Sequence, residues 1–377
     1  MNKDVLAKCV ELRRELHAHP ELSGEEVWTK ARLMDFLQTN TKLELRDRGR
    51  YFYAVYHTEK PEGEKRPGVA IRADFDALPM SDGIAAPWCS KVAGVAHKCG
   101  HDGHAAALCA LGCAVEELRP DRDVYLVFQF GEETGIGAIE AKDAICENAA
   151  DISETYAWHN TSGIEKHGIY VVYGVSNCAS MGLEIAMTGS PTHASAPEAG
   201  KNPGYALAKL ALDSRKMAAS PTYQGLVMAT LIQLAVGEEA YGIAAHEGVL
   251  RLTIRGENEA EMQDLKERLE AAAREMAEAE GLSVRFHYTD VFPETRNDDA
   301  HVEKVCEAAW KLGLPLTVSH TVGRGSEDYG YFLKEKPGAL FYVSAGVEAP
   351  GPHTQSFDFD DDLIETAVAM MCELIGM

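Results

Sequence analysis

The sequence predicts an α/β protein in which helices cover both faces of a mixed sheet and a smaller α+β domain is inserted. Short, continuous apolar runs at residues 69–73, 124–130 and 339–343 are typical of buried strands. Segments with helical periodicity, such as residues 104–118 and 361–375, alternate with these runs. Buried strands that alternate with helices indicate a sheet with helices packed on it.

The domain organisation follows from length and from a change of pattern within the chain. A chain of 377 residues exceeds the size at which one core keeps growing, so two domains are expected. Between residues 178 and 290 the predicted order is strand, helix, strand, strand, helix, strand, which is that of a ferredoxin-like sheet with two helices on one face. We therefore expect a discontinuous larger domain of residues 1–177 and 291–377, and an inserted domain of residues 178–290.

Composition limits the classes of partner. The formal charge of −23 argues against nucleic acid and anionic membranes, because both would be repelled by this surface. The sequence has no apolar run long enough to span a membrane and no signal-peptide pattern at its start. Nine scattered cysteines, an odd number, favour reduced thiols over a disulfide framework. These features predict a cytoplasmic protein whose partners are neither nucleic acids nor membranes.

The densest group of potential metal ligands lies at residues 97–104, which read His-Lys-Cys-Gly-His-Asp-Gly-His. Thiolate and imidazole together suit zinc and similar transition ions. The alternative is a solvated histidine-rich loop, which the Cys-x-His-Asp-x-x-His grouping makes the weaker interpretation. The segment therefore predicts a metal site.

Further ligand candidates follow other apolar segments. Glu132 and Glu133 come directly after a predicted strand, at the end where open α/β sheets place their sites. If both residues are extended, their side chains point in opposite directions and one can bind metal while the other faces substrate. His159 ends another apolar segment, and His353 precedes the last helix. Each of these residues alone is more often structural, but together with the first cluster they supply ligands for two metals.

At this point the sequence resembles the aminoacylase and carboxypeptidase metallopeptidases, particularly the amidohydrolase branch with hippurate hydrolases and indole-acetyl-amino-acid hydrolases. The resemblance covers nearly the whole chain. It rests on ordered motifs, namely His19-Pro20-Glu21-Leu22, residues 71–79 (IRADFDALP), residues 99–104 (CGHDGH), Glu132-Glu133, His159, residues 192–197 (THASAP), residues 325–329 (GSEDY) and residues 357–360 (FDFD).

The resemblance implies a binuclear metal centre with Glu132 as general base and acid. The implied ligands are Cys99, His101, Glu133, His159 and His353. Two bound metals can polarise an amide carbonyl and lower the pKa of a water, and a carboxylate can move its proton to the leaving amine. Zinc suits the thiolate, manganese suits the other ligands, and cobalt is also possible.

The resemblance also assigns residues outside the metal set. His193 would donate to the oxyanion of the tetrahedral intermediate, often from the partner subunit of a dimer, although a turn histidine is the alternative. Arg255 would bind a substrate carboxylate through its bidentate fork. Asp74 or Asp102 would orient a ligand, with a cap or turn carboxylate equally open. The inserted domain would serve as a lid and as the contact of a homodimer or higher homo-oligomer.

Departures from the family pattern limit the choice of substrate. Relatives have an Asn-Val-Ile-Pro segment that begins thirteen residues before the arginine matched by Arg255. This chain has Gly-Ile-Ala-Ala there, starting at Gly242. Asp76 belongs to a family motif but receives no role. The leading expectation is hydrolysis of the amide bond of N-acyl amino acids or similar small conjugates. The alternatives are a dipeptidase or aminopeptidase of the same family, and a binding protein that kept the fold but lost catalysis, although Glu132 and the five ligand candidates are all present.

Overall fold

A computed structural model describes residues 2–376, and the chain divides into two compact units. The first unit, the sheet unit, comprises residues 1–176, 295–321 and 327–377. The second unit, the inserted unit, comprises residues 177–294 and 322–326. Each unit has its own cluster of buried apolar side chains.

The helices of the described residues fall into long core helices and short connecting ones. In chain order they are α1 (Lys3–Ala18), α2 (Val27–Asn40), α3 (His101–Leu118), α4 (Ala138–Ala141), α5 (Asp143–Glu147), α6 (Gly204–Ala218), α7 (Glu259–Glu280), α8 (Asp299–Lys311), α9 (Gly330–Glu335) and α10 (Leu363–Ile375).

The strands are numbered in the same way. They are β1 (Glu44–Arg48), β2 (Tyr51–Tyr56), β3 (Arg66–Asp74), β4 (Arg122–Gln129), β5 (Ile152–Thr161), β6 (Ile169–Val172), β7 (Val175–Asn177), β8 (Ala179–Thr188), β9 (Thr192–His193), β10 (Val227–Val236), β11 (Ile243–Ala244), β12 (Glu247–Gly256), β13 (Ser283–Phe292), β14 (Thr295–Arg296), β15 (Leu316–Ser319) and β16 (Gly338–Ser344).

The sheet unit is built on an eight-stranded mixed sheet with the order β1-β2-β4-β3-β5-β16-β6-β15. Its four central strands, β4, β3, β5 and β16, run parallel to one another. β2 and β6 join them antiparallel, so the sheet is mixed. This sheet, with its flanking helices, confirms the predicted α/β class. The four parallel strands bring their carboxyl ends to one edge, where ligands bind in open α/β sheets.

Helix α3, which begins directly after Gly100, packs closely on this sheet. The helix packs against β3, α1 and α10. Its run of Ala105, Ala106 and Ala107 is completely buried, and the small side chains allow close packing of the backbone on its neighbours. The start of α3 is thus held firmly beside the end of β3.

The inserted unit contains a four-stranded antiparallel sheet with the order β10-β12-β8-β13. With α6 and α7 the chain runs β-α-β-β-α-β, and the two strands that begin its β-α halves, β8 and β12, are adjacent in the centre. Alternate residues of β8, such as Leu183, Ile185 and Met187, are buried, as expected for a sheet covered on one face.

Within residues 2–376, the structure contains no helix that is both long and apolar enough to cross a membrane.

Candidate metal centre

The candidate ligands come from the carboxyl ends of the parallel strands and from the start of α3. Asp74 is the last residue of β3, and the Glu132–Glu133 pair lies in the turn that follows β4. His159 lies near the end of β5, and His353 lies in the loop after β16. Strands that are far apart in sequence therefore deliver their polar residues to one edge of the sheet.

Cys99 and His101 reach this edge because the chain turns sharply between them. Gly100 has φ of 109°, and a Cβ built on it would lie 2.1 Å from Oδ1 of Asn160. Only glycine meets both conditions without strain. His101 is then the first residue of α3, three positions earlier than the sequence pattern predicted for the helix start.

The five predicted ligands form two groups that share Cys99. One group is Cys99, His101 and His159, and the other is Cys99, Glu133 and His353; within each group the ligand atoms lie within 4.8 Å of one another. Sγ of Cys99 is 3.4 Å from Nε2 of His159, and Nε2 of His353 is 3.5 Å from Oε2 of Glu133. A shared thiolate between two donor groups is suited to a pair of adjacent cations.

Hydrogen bonds fix which nitrogen each histidine offers. Nδ1 of His101 donates to Oδ1 of Asp76 at 3.0 Å, and Nδ1 of His159 donates to the carbonyl oxygen of Asn160 at 2.7 Å. Each Nε2 therefore keeps its lone pair and faces the other ligands. Nε2 of His101 and Oε1 of Glu133 are buried without a hydrogen-bond partner and lie 3.8 Å apart. Buried polar atoms of this kind need a partner, and a bound cation would supply it.

The pKa shifts of the cluster also fit a bound cation. Burial, together with the charges of Glu327, Asp328 and Glu133, raises the pKa of Glu132 well above its usual range. Burial and the charge of Glu133 likewise raise the pKa of the Cys99 thiol. A divalent cation in the cluster would reverse both shifts, because it stabilises the carboxylate and the thiolate. The donor set of sulfur, imidazole and carboxylate therefore fits the predicted metals.

Asp76, which received no role from the sequence, connects the two ligand groups. Its Oδ1 accepts from His101, and its Oδ2 accepts from the backbone N–H of Glu133 at 3.0 Å and from the hydroxyl of Ser23 at 2.6 Å. One carboxylate thus orients His101, a ligand candidate from α3, and the turn that carries Glu133. The signal was present in the sequence, because Asp76 follows a buried strand, but only its contacts reveal what it holds.

The two carboxylates that were expected to orient a ligand lie in different surroundings. Oδ1 of Asp74 accepts from Nδ1 of His104 at 2.6 Å, and its Oδ2 is 3.9 Å from Nε2 of His101. Asp102 instead accepts from His17 at 2.7 Å and faces Arg13 at 3.1 Å, on another side of α3. The polar contacts of Asp102 are thus directed to His17 and Arg13 and not to a ligand candidate, because adjacent residues in a helix do not face each other.

His104 is a member of the cluster whose nitrogens are both in use. Nδ1 donates to Asp74, while Nε2 lies 2.7 Å from Oδ1 of Asn160 and accepts from the Asn160 backbone N–H at 3.3 Å. An imidazole satisfied at both nitrogens orients its neighbours and leaves no lone pair for a metal. This distinguishes His104 from His101 and His159.

Glu132 and Glu133 do not point in opposite directions as the sequence suggested. They lie in a turn, and their oxygens approach Nε2 of His101 at 3.9 and 3.8 Å. The alternation of side chains holds only in an extended strand, and this chain leaves the strand at Gln129. Glu132 is distinguished instead by its partner, the backbone N–H of Asp328, at 3.4 Å.

A buried arginine stabilises the carboxylates behind the cluster. Arg72 is 1% exposed, and its guanidinium contacts Asp74 at 2.7 Å, Asp328 at 2.7 Å and Glu327 at 3.2 Å. Its Nε donates to Oε1 of Gln129 at 2.8 Å. Burial and Glu327 raise the pKa of Asp328 to about 8, against the opposing effect of Arg72. The sequence motifs include Arg72, Glu327 and Asp328 but gave these three residues no role, although Arg72 and Asp74 stand out as same-face charges in an apolar strand.

His353 is held in place by its backbone. It is a non-glycine residue with φ of 62°, a conformation that persists only where the surroundings impose it. Its N–H donates to the carbonyl oxygen of Lys98 at 2.6 Å. The buried ammonium of Lys98 donates to the carbonyl oxygen of Phe357 at 2.7 Å and also contacts Asp82. Lys98 therefore ties the loop of His353 to the segment that carries Cys99.

The other two predicted site residues, His193 and Arg255, belong to the inserted unit. His193 lies in β9 and pairs with Ile243 of β11, and the N–H of Ala194 donates to the carbonyl oxygen of Gly242 at 3.0 Å. The segment that departs from the family pattern is thus the neighbour of His193. Nη1 of Arg255 donates to Oγ of Ser326 at 2.6 Å.

Comparison with known proteins identifies the family of the chain. A sequence model of peptidase family M20/M25/M40 matches residues 70–376. The chain belongs to this family. Membership in the M20 peptidase family confirms the resemblance described above and the prediction of a metallo-amidohydrolase.

Relatives in the M20 family cover nearly the whole chain at low identity. N-acetylcysteine deacetylase from Bacillus subtilis (strain 168) is 27% identical, over 97% of this chain and 96% of its own length. Hippurate hydrolase from Campylobacter jejuni is 25% identical, over 98% of this chain and 96% of its own. The crystal structure of a dinuclear metal-binding M20 peptidase from Bacillus subtilis superimposes with a TM-score of 0.83 at 23% identity, covering 100% of this chain and 98% of that one.

Proposed function

We propose that this protein hydrolyses the amide bond of N-acyl amino acids, or of similarly small amino-acid conjugates, with two divalent metal ions. The observation that carries the proposal is the pair of ligand groups that share Cys99, with buried donor atoms that lack partners. The names of the relatives support the substrate class, since one deacetylates N-acetylcysteine and another hydrolyses hippurate.

The ligand groups and the base have separate tasks in this proposal. The metals are held by Cys99, His101, Glu133, His159 and His353. When bound there, two cations supply polarisation of the amide carbonyl and a lowered pKa for a water molecule. Glu132 takes the proton of that water and delivers it to the departing amine, because it lies beside the ligands and belongs to neither group that shares Cys99. Asp76 orients His101, and Asp74 orients His104.

The inserted unit supplies the substrate contacts in this proposal. We assign His193 to the oxyanion and Arg255 to the substrate carboxylate, and residues 178–290 to a lid that also joins two subunits. Reduced thiols support a cytoplasmic location, because all nine cysteines, each within the described residues, are unpaired. Zinc is the preferred metal because Cys99 stands in both ligand groups, with manganese or cobalt as alternatives.

Substitution Cys99→Ala is expected to lower the metal content of the centre. The thiolate belongs to both ligand groups, so its loss removes one ligand from each cation. We expect metal content to fall by at least half and hydrolysis to fall with it. The matched control is Cys146→Ala, at an exposed cysteine outside the cluster, which should keep full metal content. Unchanged metal content in Cys99→Ala would remove Cys99 from the ligands.

Substitution Arg255→Ala is expected to raise KM about tenfold or more for substrates with a free carboxylate, since a charge-assisted hydrogen bond to a carboxylate contributes about 1.5–3 kcal/mol. Amide derivatives of the same substrates should be almost unaffected, because they offer no charge to the guanidinium. Arg251→Ala is a suitable control, because Arg251 lies on the same strand and pairs with Glu184. Equal effects on acids and amides would dismiss the carboxylate contact.

The experiment that tests the substrate class is hydrolysis of a matched panel by the metal-loaded enzyme. The panel pairs N-acetyl and N-benzoyl amino acids with dipeptides that carry a free amine. The proposal predicts cleavage of the acylated compounds and little cleavage of the dipeptides. The reverse preference would favour a dipeptidase of the same family.

A further inference from the structure

Local hydrogen bonds hold the backbone and the imidazole ring of His193 in place. His193 lies on the surface of the inserted unit, in the short strand β9. The turn that follows it is closed by two bonds: the N–H of Ala196 donates to the carbonyl oxygen of His193 at 2.8 Å, and the hydroxyl of Thr192 donates to the carbonyl oxygen of Ala196 at 3.0 Å. The backbone around the imidazole is thus defined by local hydrogen bonds.

Ser195 places two hydrogen-bonding groups, its backbone N–H and its hydroxyl, beside Nδ1 of His193. The backbone N–H of Ser195 donates to Nδ1 of His193 at 3.1 Å, and Oγ of Ser195 lies 2.7 Å from that nitrogen. A backbone N–H can only donate, so Nδ1 must accept. A neutral imidazole with an accepting Nδ1 carries its proton on Nε2. The hydroxyl of Ser195 then also donates to Nδ1, which strengthens the same arrangement.

We propose that Ser195 is a positioning residue that holds His193 in the tautomer with its proton on Nε2, so that the outer edge of the ring is a hydrogen-bond donor. The inference rests on the proposed role of His193 at the oxyanion and adds how the donor is prepared. A developing oxyanion needs a donor that is already oriented, because reorientation during the reaction would cost part of the stabilisation. In the other tautomer the outer nitrogen would offer a lone pair and would repel the oxyanion.

The test follows the tautomer and the reaction separately. Histidine-selective ¹⁵N labelling of the zinc-loaded enzyme, with assignment by His193→Gln, reports the tautomer at a pH where free imidazole is neutral, about 8.5. In the wild type we expect Nε2 of His193 to show the signal of a protonated ring nitrogen and Nδ1 that of an unprotonated one. Ser195→Ala keeps the backbone N–H but loses the hydroxyl donor, so the fraction with protonated Nδ1 should rise in part. Ser195→Thr, which keeps the hydroxyl, should restore the wild-type signal.

Turnover should change in parallel with the tautomer. We expect Ser195→Ala to lower kcat about fivefold with little change in KM, which is the effect of one neutral hydrogen bond, and Ser195→Thr to recover most of it. Ser220→Ala is the control, because Ser220 also makes local turn contacts on the surface of the inserted unit, to Thr222. It should alter neither readout.

The outcomes separate this inference from the proposed function. A wild-type ring protonated on Nδ1, or an unchanged tautomer and kcat in Ser195→Ala, would overturn the role of Ser195 even if hydrolysis of N-acyl amino acids is demonstrated. Wild-type kcat in His193→Ala would overturn the role of His193 at the oxyanion, and with it the positioning role of Ser195. Absence of amide hydrolysis in the wild type, with the expected tautomer, would count against the proposed function alone.

Discussion

Replacement of Glu132 by Gln should abolish nearly all turnover while the protein keeps its metal. We expect kcat and kcat/KM to fall together by about 10³-fold, within the range for loss of a general acid–base group. The amide of Gln can still accept from the backbone N–H of Asp328, but it cannot take a proton from water. Metal content should stay at the wild-type value, because Glu132 belongs to neither ligand group that shares Cys99.

Two comparisons make this prediction specific. Glu140→Gln, at a surface carboxylate that pairs with Arg50, should keep wild-type rates. Glu133→Gln, next to the base, should lose metal as well as activity, because Glu133 is one of the ligand candidates. Wild-type turnover in Glu132→Gln, measured with equal metal content, would show that the proton is moved by another group.

The largest loss of stability is expected from Arg72→Met. This substitution leaves Asp74, Glu327 and Asp328 buried without their guanidinium partner. Removing one partner of a buried ion pair costs about 3–5 kcal/mol, because the remaining charge is not compensated. Met occupies a similar volume, so the loss reports charge and hydrogen bonding rather than a cavity.

Urea unfolding of metal-depleted protein would measure this effect without a contribution from metal binding. The control is Arg119→Met, because the pair of Arg119 with Glu59 has side chains that are 65% and 75% exposed. Such a surface pair contributes about 0–1 kcal/mol. A loss below 1 kcal/mol in Arg72→Met would show that these carboxylates are neutralised in another way.

The parts of the structure that the sequence predicts well are those set by local pattern. The strands at residues 66–74, 122–129 and 338–344 coincide with continuous apolar runs, whose length and composition indicate buried strands. The order of elements in the inserted unit likewise followed from alternating patterns. Cys99 and His101 could be recognised as ligand candidates because soft donors are close together in the chain.

The parts that could not be predicted depend on contacts between distant segments. Asp76 orients His101 and the Glu133 backbone, whereas Asp102 faces Arg13 and His17. The local sequence of neither residue shows which groups its carboxylate contacts. The directions of Glu132 and Glu133 depended on where β4 ends. The tautomers of His101 and His159 depend on individual hydrogen bonds to Asp76 and to the Asn160 carbonyl, which a sequence pattern does not encode.

The most direct test of the binuclear centre is titration of metal-depleted protein with zinc or manganese, with bound metal and hydrolysis of an N-acyl amino acid followed together. The shared Cys99 predicts that activity is absent without metal and reaches its plateau at about two ions per chain. Full activity in the metal-depleted protein, or a plateau at about one ion per chain with no further binding, would contradict a binuclear centre at Cys99.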